Sequence, residues 1–309
     1  VAALPAIHHI AVPIGHGQSG TGQGKSVYPM QLAQGSTFNG FFNNYDGLAS
    51  GLQPIGVKYD DASRKVVCTL EQDDIMDGLN WLHKWYQGGI INPDAAVVTD
   101  GGKGSIFGSA QGWPAAATTW AFNSGIEKYD LTQVFGPLYT TETIQGSMNA
   151  ISANSKYKTE ALKVLQLMNT DSKFRDMCAY GTEGNYMEYA EDGTVQKLRD
   201  DWNWPSYTQG TFFILSTQAD GDPDAWNQVK EQNESATAST CLGFALDVTN
   251  IQNEIANCNT VWDKYKNELL TGVSDPATAV PACIEELKAA GLDTVIEEAQ
   301  KQVDEFFAN

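Results

Sequence analysis

The stretch Gln111-Gly-Trp-Pro-Ala-Ala-Ala-Thr-Thr-Trp120 holds two tryptophans among small residues, and about 25 residues later comes Gln145-Gly-Ser-Met-Asn-Ala-Ile-Ser152. Two bulky rings in a segment of this composition do not fit one face of a regular helix. We expect the rings to be presented at the end of a strand, where a flat apolar ligand can stack on them. The residues from Ile144 to Ser152 alternate in polarity, which predicts a strand that enters a buried sheet.

The overall composition is that of an acidic globular protein. The chain has 309 residues, of which 38 are acidic and 19 are basic, and its net charge is −19. This length exceeds the usual size of one domain, so we expect two lobes. The negative field repels phosphate backbones and anionic membrane surfaces, which argues against nucleic acid as a partner. No apolar run reaches the roughly 18 residues that a membrane-spanning helix needs.

The amino-terminal residues and the cysteines leave the cellular compartment open. Residues 1–10 are apolar but interrupted, and they lack the basic start of a signal peptide. Because the chain begins with Val1, we expect that it has been processed or is incomplete. The five cysteines include no Cys-x-x-Cys pair, which argues against zinc. We expect buried thiols, and a disulfide remains an alternative.

A Gly-rich segment at residues 11–26 ends in Gly24-Lys25-Ser26, as a phosphate-binding loop does. Ser19, however, stands where that motif requires its first glycine. Neither a strand pattern before the segment nor a helix pattern after it supplies the usual context. We therefore interpret residues 1–27 as an unassigned Gly-rich segment, and we expect no nucleotide or other cofactor.

Apolar spacing predicts a series of helices. The first runs from Gln72 to Gly88-Gly89, with Ile75, Leu79, Leu82 and Tyr86 at helical spacing and acidic residues in its first turn. A second follows Asn154-Ser155, and its expected apolar face consists of Tyr157, Ala161, Val164, Leu165 and Met168. Others are predicted at residues 248–270, 277–290 and 292–307, whereas residues 185–210 are predicted to be more loop than regular element. Because strands alternate with helices, the predicted class is α/β.

The residues typical of catalysis do not form a motif. Three of the four histidines lie at positions 8, 9 and 16, and the fourth, His83, is predicted on the exposed side of its helix. No Gly-x-Ser-x-Gly sequence marks a serine nucleophile. The carboxylate pairs Asp73-Asp74, Glu191-Asp192 and Asp200-Asp201 are adjacent in sequence, whereas glycoside cleavage needs two carboxyl groups that face each other across a sugar. We predict no catalytic residue and no metal site.

Two segments combine aromatic rings with side chains that form hydrogen bonds, which is the chemistry of a sugar site. One runs from Gln34 to Gly47 and the other from Gln111 to Trp120. Sugar rings present C–H faces to aromatic side chains and hydroxyl edges to Asn, Gln, Asp and Ser. Core packing is the alternative for each of these aromatic residues. Glycines beside both segments favour side chains that are presented on loops.

The order of several short motifs resembles extracellular solute-binding proteins of the maltose-binding-protein type, which are the capture subunits of ABC importers. The motifs are Tyr45-Asp46-Gly47, Trp85-Tyr-Gln-Gly-Gly-Ile-Ile-Asn-Pro93, Gly104-Ser-Ile-Phe-Gly-Ser-Ala-Gln-Gly-Trp113 and Gly146-Ser-Met-Asn-Ala-Ile-Ser152. Asn44-Tyr45-Asp46, Leu167-Met-Asn-Thr-Asp171, Leu242-Gly-Phe-Ala-Leu-Asp247 and Leu270-Thr-Gly-Val-Ser-Asp-Pro276 are similar to the Firmicutes lipoprotein branch. The likeness covers about residues 28–307.

The resemblance implies a periplasmic-binding-protein-like fold (type II) with two α/β lobes that close over a ligand by a hinge. It places the second, carboxy-terminal lobe at residues 28–142 and 206–309, and part of the first lobe at 143–205, reached through hinge strands. Family members have well over a hundred residues before the position of Tyr28, and here only 27 precede it. The resemblance therefore implies an incomplete amino-terminal lobe, either because the chain is a fragment or because the lobe is contributed otherwise.

The resemblance also assigns ligand-binding residues. The family's Asn-Gly-Pro-Trp motif supplies a stacking tryptophan, and its counterpart here is Gln111-Gly-Trp-Pro114, with Trp and Pro exchanged. The family's ligand loop in the second lobe corresponds to Gln34–Phe38. The expected ligand-binding residues are Trp113, Ser36, Phe38, Asn44, Gln111 and Trp120, with Trp113 as the main platform.

The predicted function follows from the resemblance. We expect an extracellular receptor, lipid-anchored in its full precursor, that captures an oligosaccharide or a sugar derivative as a monomer and delivers it to an ABC transporter permease. Amino-acid, peptide and osmolyte ligands remain open. The alternative is a carbohydrate-active enzyme, a glycoside hydrolase whose paired carboxylates the fold brings together.

Overall fold

A computed structural model describes residues 28–100, 108, 112–114, 116, 130, 132–133, 135–146, 148–199, 201–202, 204, 209–219 and 221–308. The chain divides into two compact units. Unit 1 consists of Val1–Gln111, Val134–Glu142 and Ala238–Asn309, and unit 2 consists of Gly112–Gln133 and Thr143–Thr237. Helices and strands occur in both units, so the predicted mixed α/β class is confirmed.

Unit 1 contains an antiparallel sheet and helices that come from both ends of the chain. The strands β1 (Tyr45–Asp46), β2 (Ile55–Lys58) and β3 (Val66–Cys68) are hydrogen-bonded in that order. The register pairs Asp46 with Val57 and Ile55 with Cys68. Helix α1 (Asp73–Gln87) follows, and a short strand β4 (Leu138–Tyr139) lies later in the chain.

The carboxy-terminal part of unit 1 is helical, as the apolar spacing predicts. Helix α6 (Gln252–Leu270) packs against α7 (Pro276–Ala289) and α8 (Leu292–Phe307), and α8 also packs against β3. Asp275 caps α7 by accepting a hydrogen bond from the Ala277 N–H at 3.0 Å. Apolar side chains of α1, β2, β3 and these three helices form one continuous core. The helix predictions in this unit are confirmed to within a few residues at each end.

Unit 2 has a much smaller core. Its helices are α2 (Thr141–Ile144, which begins in unit 1), α3 (Lys158–Thr170), α4 (Ser172–Tyr180) and α5 (Ala225–Glu234). Strands β5 (Met187–Tyr189) and β6 (Val195–Lys197) form a hairpin, and the two-residue strand β7 (Thr237–Ala238) lies where the chain leaves the unit. The buried cluster consists of Tyr180, Met187, Val195 and Leu215. None of the helices in the described residues is long and apolar enough to cross a bilayer.

One prediction of secondary structure in unit 2 is wrong. Thr141–Ile144 is a short helix, and residues 148–152 form no strand; the Ile144 and Met148 side chains are exposed, so the alternation does not reflect a buried sheet. Residues 185–210, which are predicted to be more loop than regular element, contain the short β5–β6 hairpin. The hairpin strands have three residues each, which is too short for a period-2 pattern to stand out.

His83 also differs from its prediction. The side chain is partly buried, and its Nδ1 lies 2.8 Å from the carbonyl oxygen of Gly272, to which it donates. Its Nε2 lies 2.9 Å from the Gln87 side-chain amide nitrogen. His83 therefore links α1 to the segment that follows α6, a long-range contact that the spacing within α1 does not reveal.

The five cysteines are free thiols, and four of them are buried, as predicted. Burial raises the pKa of Cys68, Cys241 and Cys258 to about 11 and that of Cys283 to about 12. Cys178 is partly exposed, and burial raises its pKa as well. The thiolate is the nucleophile. The buried thiols therefore react slowly, because the reagent cannot reach them and because their raised pKa keeps them protonated.

We expect native protein at pH 8 to react with iodoacetamide at one cysteine, Cys178, over minutes, because the other four are inaccessible and fully protonated. Mass spectrometry of tryptic peptides measures the modification at each position. In denaturant all five should react, and the variant Cys178→Ser should show no fast modification under native conditions. Fast native labelling of Cys283 would contradict the packing described for α7.

Candidate ligand-binding site

The loop from Gln34 to Phe38 is held at both ends by backbone hydrogen bonds. The Gln34 N–H donates to the carbonyl oxygen of Val98 at 3.0 Å, and the Phe38 N–H donates to that of Leu270 at 3.0 Å. At the start of this loop Ala33 and Ser36 exchange backbone hydrogen bonds, which closes a tight turn. The Ser36 side chain is exposed at this turn, so its hydroxyl is available to a ligand.

Phe38 packs against aromatic neighbours and keeps part of its surface exposed. Its ring lies 6.3 Å from the Trp85 ring in an edge-to-face arrangement and 6.2 Å from the Phe41 ring. These contacts fix the side chain, since aromatic pairs prefer such tilted geometries. A fixed and partly exposed ring is suited to stacking on a flat apolar surface.

Asn44 lies among protein groups. It is buried, and its side-chain amide donates to the Asp74 carboxylate at 3.2 Å. The Tyr45 hydroxyl donates to the other oxygen of the same carboxylate at 2.7 Å. Burial, together with the bond to Asp74, raises the pKa of Tyr45, so the phenol stays protonated and remains a donor. This placement favours a role for Asn44 in holding the start of α1.

Trp113 belongs to unit 2, whereas Ser36, Phe38 and Asn44 belong to unit 1. The Trp113 ring is partly exposed, and its carbonyl oxygen accepts a hydrogen bond from the Ala116 N–H at 2.9 Å. Gln111 and Trp120 lie outside the described residues. The structure thus brings Ser36, Phe38 and Asn44 into one unit, and Trp113 remains a predicted platform on the other.

One carboxylate of each predicted pair is engaged in local hydrogen bonds. Asp74 accepts from Asn44 and Tyr45, and Asp192 accepts from the Thr194 N–H and hydroxyl. The hydrogen bond from Thr194 lowers the pKa of Asp192, and the hydrogen bond from Arg199 lowers the pKa of Asp201. A general acid for glycoside cleavage requires the opposite, a raised pKa. Within the described part of the chain, no His, Cys, Asp and Glu side chains cluster as metal ligands do.

Unit 2 also contains an aromatic group that the sequence prediction did not single out. The rings of Tyr186 and Trp202 lie 5.2 Å apart, and the Arg199 guanidinium lies 4.7 Å from the centre of the Tyr186 ring. The Trp202 indole N–H donates to the carbonyl oxygen of Cys178 at 3.0 Å, which orients the ring. Both rings are partly exposed. The high density of aromatic residues near position 200 is the sequence signal for this group.

Comparisons with known proteins identify relatives of the chain. It is 27% identical over 279 residues to a carbohydrate ABC transporter substrate-binding protein of Streptococcus pneumoniae, and the match covers 86% of this chain and 57% of that protein. The predicted resemblance is confirmed: the chain is related to carbohydrate ABC transporter substrate-binding proteins. It spans little more than half of this relative's length.

Solved structures support the same relationship. The N-glycan transport solute-binding protein NgtS of Streptococcus pneumoniae in complex with Man1GlcNAc has a TM-score of 0.77 and 25% identity, over 92% of this chain and 65% of that chain. The complex of NgtS with Man5GlcNAc has a TM-score of 0.73 and 25% identity, over 92% of this chain and 64% of that chain. The fold is therefore that of a solute-binding protein. Residues 240–308, which contain α6 to α8, match a domain of unknown function (DUF3502).

Proposed function

We propose that the chain is the substrate-capturing component of a carbohydrate ABC importer, a binding protein rather than an enzyme, with an oligosaccharide built from mannose and N-acetylglucosamine as its ligand. The observation that carries this proposal is the likeness to NgtS in its complexes with Man1GlcNAc and Man5GlcNAc. The engaged carboxylates described above are in keeping with capture without cleavage.

The proposal extends to the two-lobe, type II arrangement with an incomplete first lobe. Unit 1 then corresponds to the second lobe, and residues 143–205 contribute to the first. The boundary between Glu142 and Thr143 supports a crossing at this point. The remaining parts of the proposal are an extracellular location, a lipid anchor on the full precursor, a monomeric state and delivery to a permease.

The proposed ligand contacts combine stacking with hydrogen bonds. Trp113 is the main stacking surface, Phe38 is a second ring that its neighbours hold in place, and Ser36 supplies an exposed hydroxyl. Asn44, Gln111 and Trp120 complete the proposed set. Sugars bind to such mixed surfaces because the ring face is apolar and its edge carries hydroxyl groups.

We expect the chain to bind the disaccharide Man1GlcNAc in preference to maltose, weakly, because a partial cleft provides less desolvation and preorganisation than a closed one. Saturation-transfer NMR detects weak ligands and gives the affinity by titration. Trp113→Ala should weaken binding by about 1–3 kcal/mol, which is roughly 5- to 150-fold in Kd.

Trp81→Ala is the matched control, because Trp81 is a partly exposed tryptophan on α1 with Lys84 over its ring. This variant should bind Man1GlcNAc as well as the parent chain does. Absence of any binding, or release of free mannose during the titration, would overturn the proposed function. An unchanged affinity in folded Trp113→Ala would remove Trp113 from the site while leaving the function intact.

A further inference from the structure

The sequence motif Trp85–Pro93 contains a buried asparagine near its end. Asn92 is 0% exposed and follows Ile91, which forms a parallel bridge with Met30. The Met30 N–H donates to the carbonyl oxygen of Ile90 at 3.0 Å. Two segments of unit 1 therefore begin to pair, as parallel strands do, just before Asn92.

The backbone of the second segment turns away after Asn92, because residues 93–97 form turns. The segment meets the first one again at Val98, whose carbonyl oxygen accepts a hydrogen bond from the Gln34 N–H at 3.0 Å. Leu32 lies between these two backbone contacts and is 7% exposed. Its N–H and C=O groups therefore need partners within the protein.

The Asn92 side chain serves Leu32 as a peptide group would. Its Oδ1 accepts from the Leu32 N–H at 2.7 Å, and its Nδ2 donates to the Leu32 carbonyl oxygen at 3.0 Å. Nδ2 also donates to Oδ1 of Asp94 at 2.8 Å, which orients the amide. An asparagine side chain carries the acceptor and the donor of a peptide group, so it continues the pairing across the turn.

Few side chains can replace this amide at a buried position. Aspartate has the same size but no N–H donor, and leucine has neither a donor nor an acceptor. Glutamine has both, but it adds a methylene group at a position that is fully buried. Without the amide, the buried N–H and C=O of Leu32 lose these partners, which disfavours the paired conformation.

The paired segment leads directly into the loop that carries proposed ligand contacts. Ala33 follows Leu32, is buried, and exchanges backbone hydrogen bonds with Ser36. The Gln34 side-chain amide donates to the carbonyl oxygen of Ala96 at 3.0 Å, so the loop is attached to the second segment a further time. A shift of Leu32 is therefore transmitted through Ala33 to the exposed Ser36 hydroxyl.

We propose that Asn92 is a positioning residue for ligand binding, whose side-chain amide holds the Gln34–Phe38 loop so that Ser36 and Phe38 face a sugar in one arrangement. A loop that is ordered before binding loses less entropy when the ligand binds. Asn92 is buried and acts through the loop, without touching the ligand. This inference rests on the proposed function, because it takes Ser36 and Phe38 as ligand contacts.

The first test compares the affinity of Asn92→Ala, Asn92→Leu and the parent chain for Man1GlcNAc by titration in saturation-transfer NMR. Both variants should raise Kd by about fivefold or more, because the bonds to Leu32 are lost. Asn92→Leu keeps an apolar side chain of similar size, so it separates hydrogen bonding from packing. Asp94→Ala, which leaves both bonds to Leu32 intact, should change Kd by less than about twofold. Binding by Asn92→Leu as tight as that of the parent chain would overturn the proposal.

Val303→Ala is the control for a purely structural effect. Val303 lies on α8, is buried and belongs to the core of unit 1, so its truncation lowers stability. Urea denaturation measures the stability of each variant, and the titrations are run where every variant is folded. Val303→Ala should keep the Kd of the parent chain. An equal loss of affinity in Val303→Ala and Asn92→Ala would mean that Asn92 acts only through global stability, and the proposal would be wrong.

Hydrogen exchange of the unliganded chain, measured by mass spectrometry with fragmentation, tests the loop without a sugar. The N–H groups of Leu32, Gln34 and Ser36 are hydrogen-bonded in the structure. In Asn92→Ala they should exchange about tenfold faster or more than in the parent chain, while exchange in β2 stays unchanged. Unchanged exchange in the loop, or the same acceleration in β2, would contradict local positioning by Asn92.

The two measurements separate this inference from the proposed function. Failure of the parent chain to bind Man1GlcNAc, together with faster loop exchange in Asn92→Ala, would reject the proposed function and keep Asn92 as the residue that orders the loop. Binding by the parent chain together with unchanged loop exchange in Asn92→Ala would keep the proposed function and reject the role of Asn92.

Discussion

Replacement of Trp262 by alanine is expected to lower the free energy of unfolding of unit 1 by about 3–5 kcal/mol, the usual cost of removing a buried aromatic side chain. Trp262 is 3% exposed on α6 and belongs to the continuous core. Its ring lies 6.1 Å from the Phe42 ring in an edge-to-face arrangement. Its indole N–H donates to the Gln53 side-chain oxygen at 3.1 Å, so the substitution removes both packing and a hydrogen bond.

Urea denaturation followed by far-ultraviolet circular dichroism measures this change without relying on tryptophan fluorescence. Asn257→Ala, at an exposed position of the same helix, should leave the midpoint nearly unchanged. The denaturation midpoint of Trp262→Phe should lie between those of Trp262→Ala and Asn257→Ala, because this variant keeps a ring in the core and loses the donor to Gln53. A midpoint for Trp262→Ala equal to that of Asn257→Ala would mean that α6 does not pack as described.

The sequence predicted unit 1 well because its helices pack against other parts of the same chain. The spacing of Ile75, Leu79 and Leu82 indicated a buried face, and these residues are buried. Within that face lies Gly78, which intrinsic propensity disfavours in a helix. The structure supplies the reason: a Cβ at Gly78 would lie 2.7 Å from the Phe41 ring. Such a contact joins residues that are distant in sequence, and helical spacing carries no information about it.

The sequence was less informative about unit 2. Apolar periodicity predicts which side chains are buried, but it does not identify the elements that pack against them. The pattern around α3 grouped Tyr157 and Val164 with Met168, and only Met168 is buried. Alternation from Ile144 to Ser152 predicts a buried strand, although Ile144 and Met148 are exposed. Both errors concern apolar residues that the pattern assigns to a buried face and that are exposed in the structure.

For the polar residues of the candidate site, the sequence likewise does not reveal which groups each side chain contacts. Composition indicated Asn44 as a sugar contact, because amides bind hydroxyl groups. In the structure its amide donates to Asp74, which is 30 residues away in sequence. Ser36, in contrast, lies at an exposed turn whose ends are fixed by backbone bonds. The sequence specified the chemical type of each side chain, and long-range contacts decide which of them remain accessible.

A buried carboxylate holds together the small core of unit 2. Asp176 on α4 is 1% exposed. Its carboxylate accepts from the Tyr189 hydroxyl at 2.9 Å, from the Ser216 N–H at 2.9 Å and from the Ser216 hydroxyl at 2.8 Å. These bonds connect α4 to strand β5 and to the segment around Leu215, which is part of the core. Burial and the bond to Asp176 raise the pKa of Tyr189, so its hydroxyl remains a donor.

Asp176→Ala is expected to destabilise unit 2 by about 3 kcal/mol or more, because it leaves three donors without their acceptor and hydrogen bonds to a charged group contribute about 1.5–3 kcal/mol each. Hydrogen exchange measured by mass spectrometry resolves the effect by segment. Exchange should accelerate in α4 and in the β5–β6 hairpin, and it should not change in α6 to α8 if unit 1 keeps its own core.

The matched variant is Asp176→Asn, which preserves the shape of the side chain and one acceptor oxygen. It should therefore destabilise unit 2 less than Asp176→Ala does. A double-mutant cycle with Tyr189→Phe separates the hydrogen bonds from packing. Tyr189→Phe should destabilise the parent chain but add little to Asp176→Ala, because the bond that it removes is already lost. Strictly additive effects would contradict the network, and the cohesion of unit 2 would then have to come from its few apolar contacts alone.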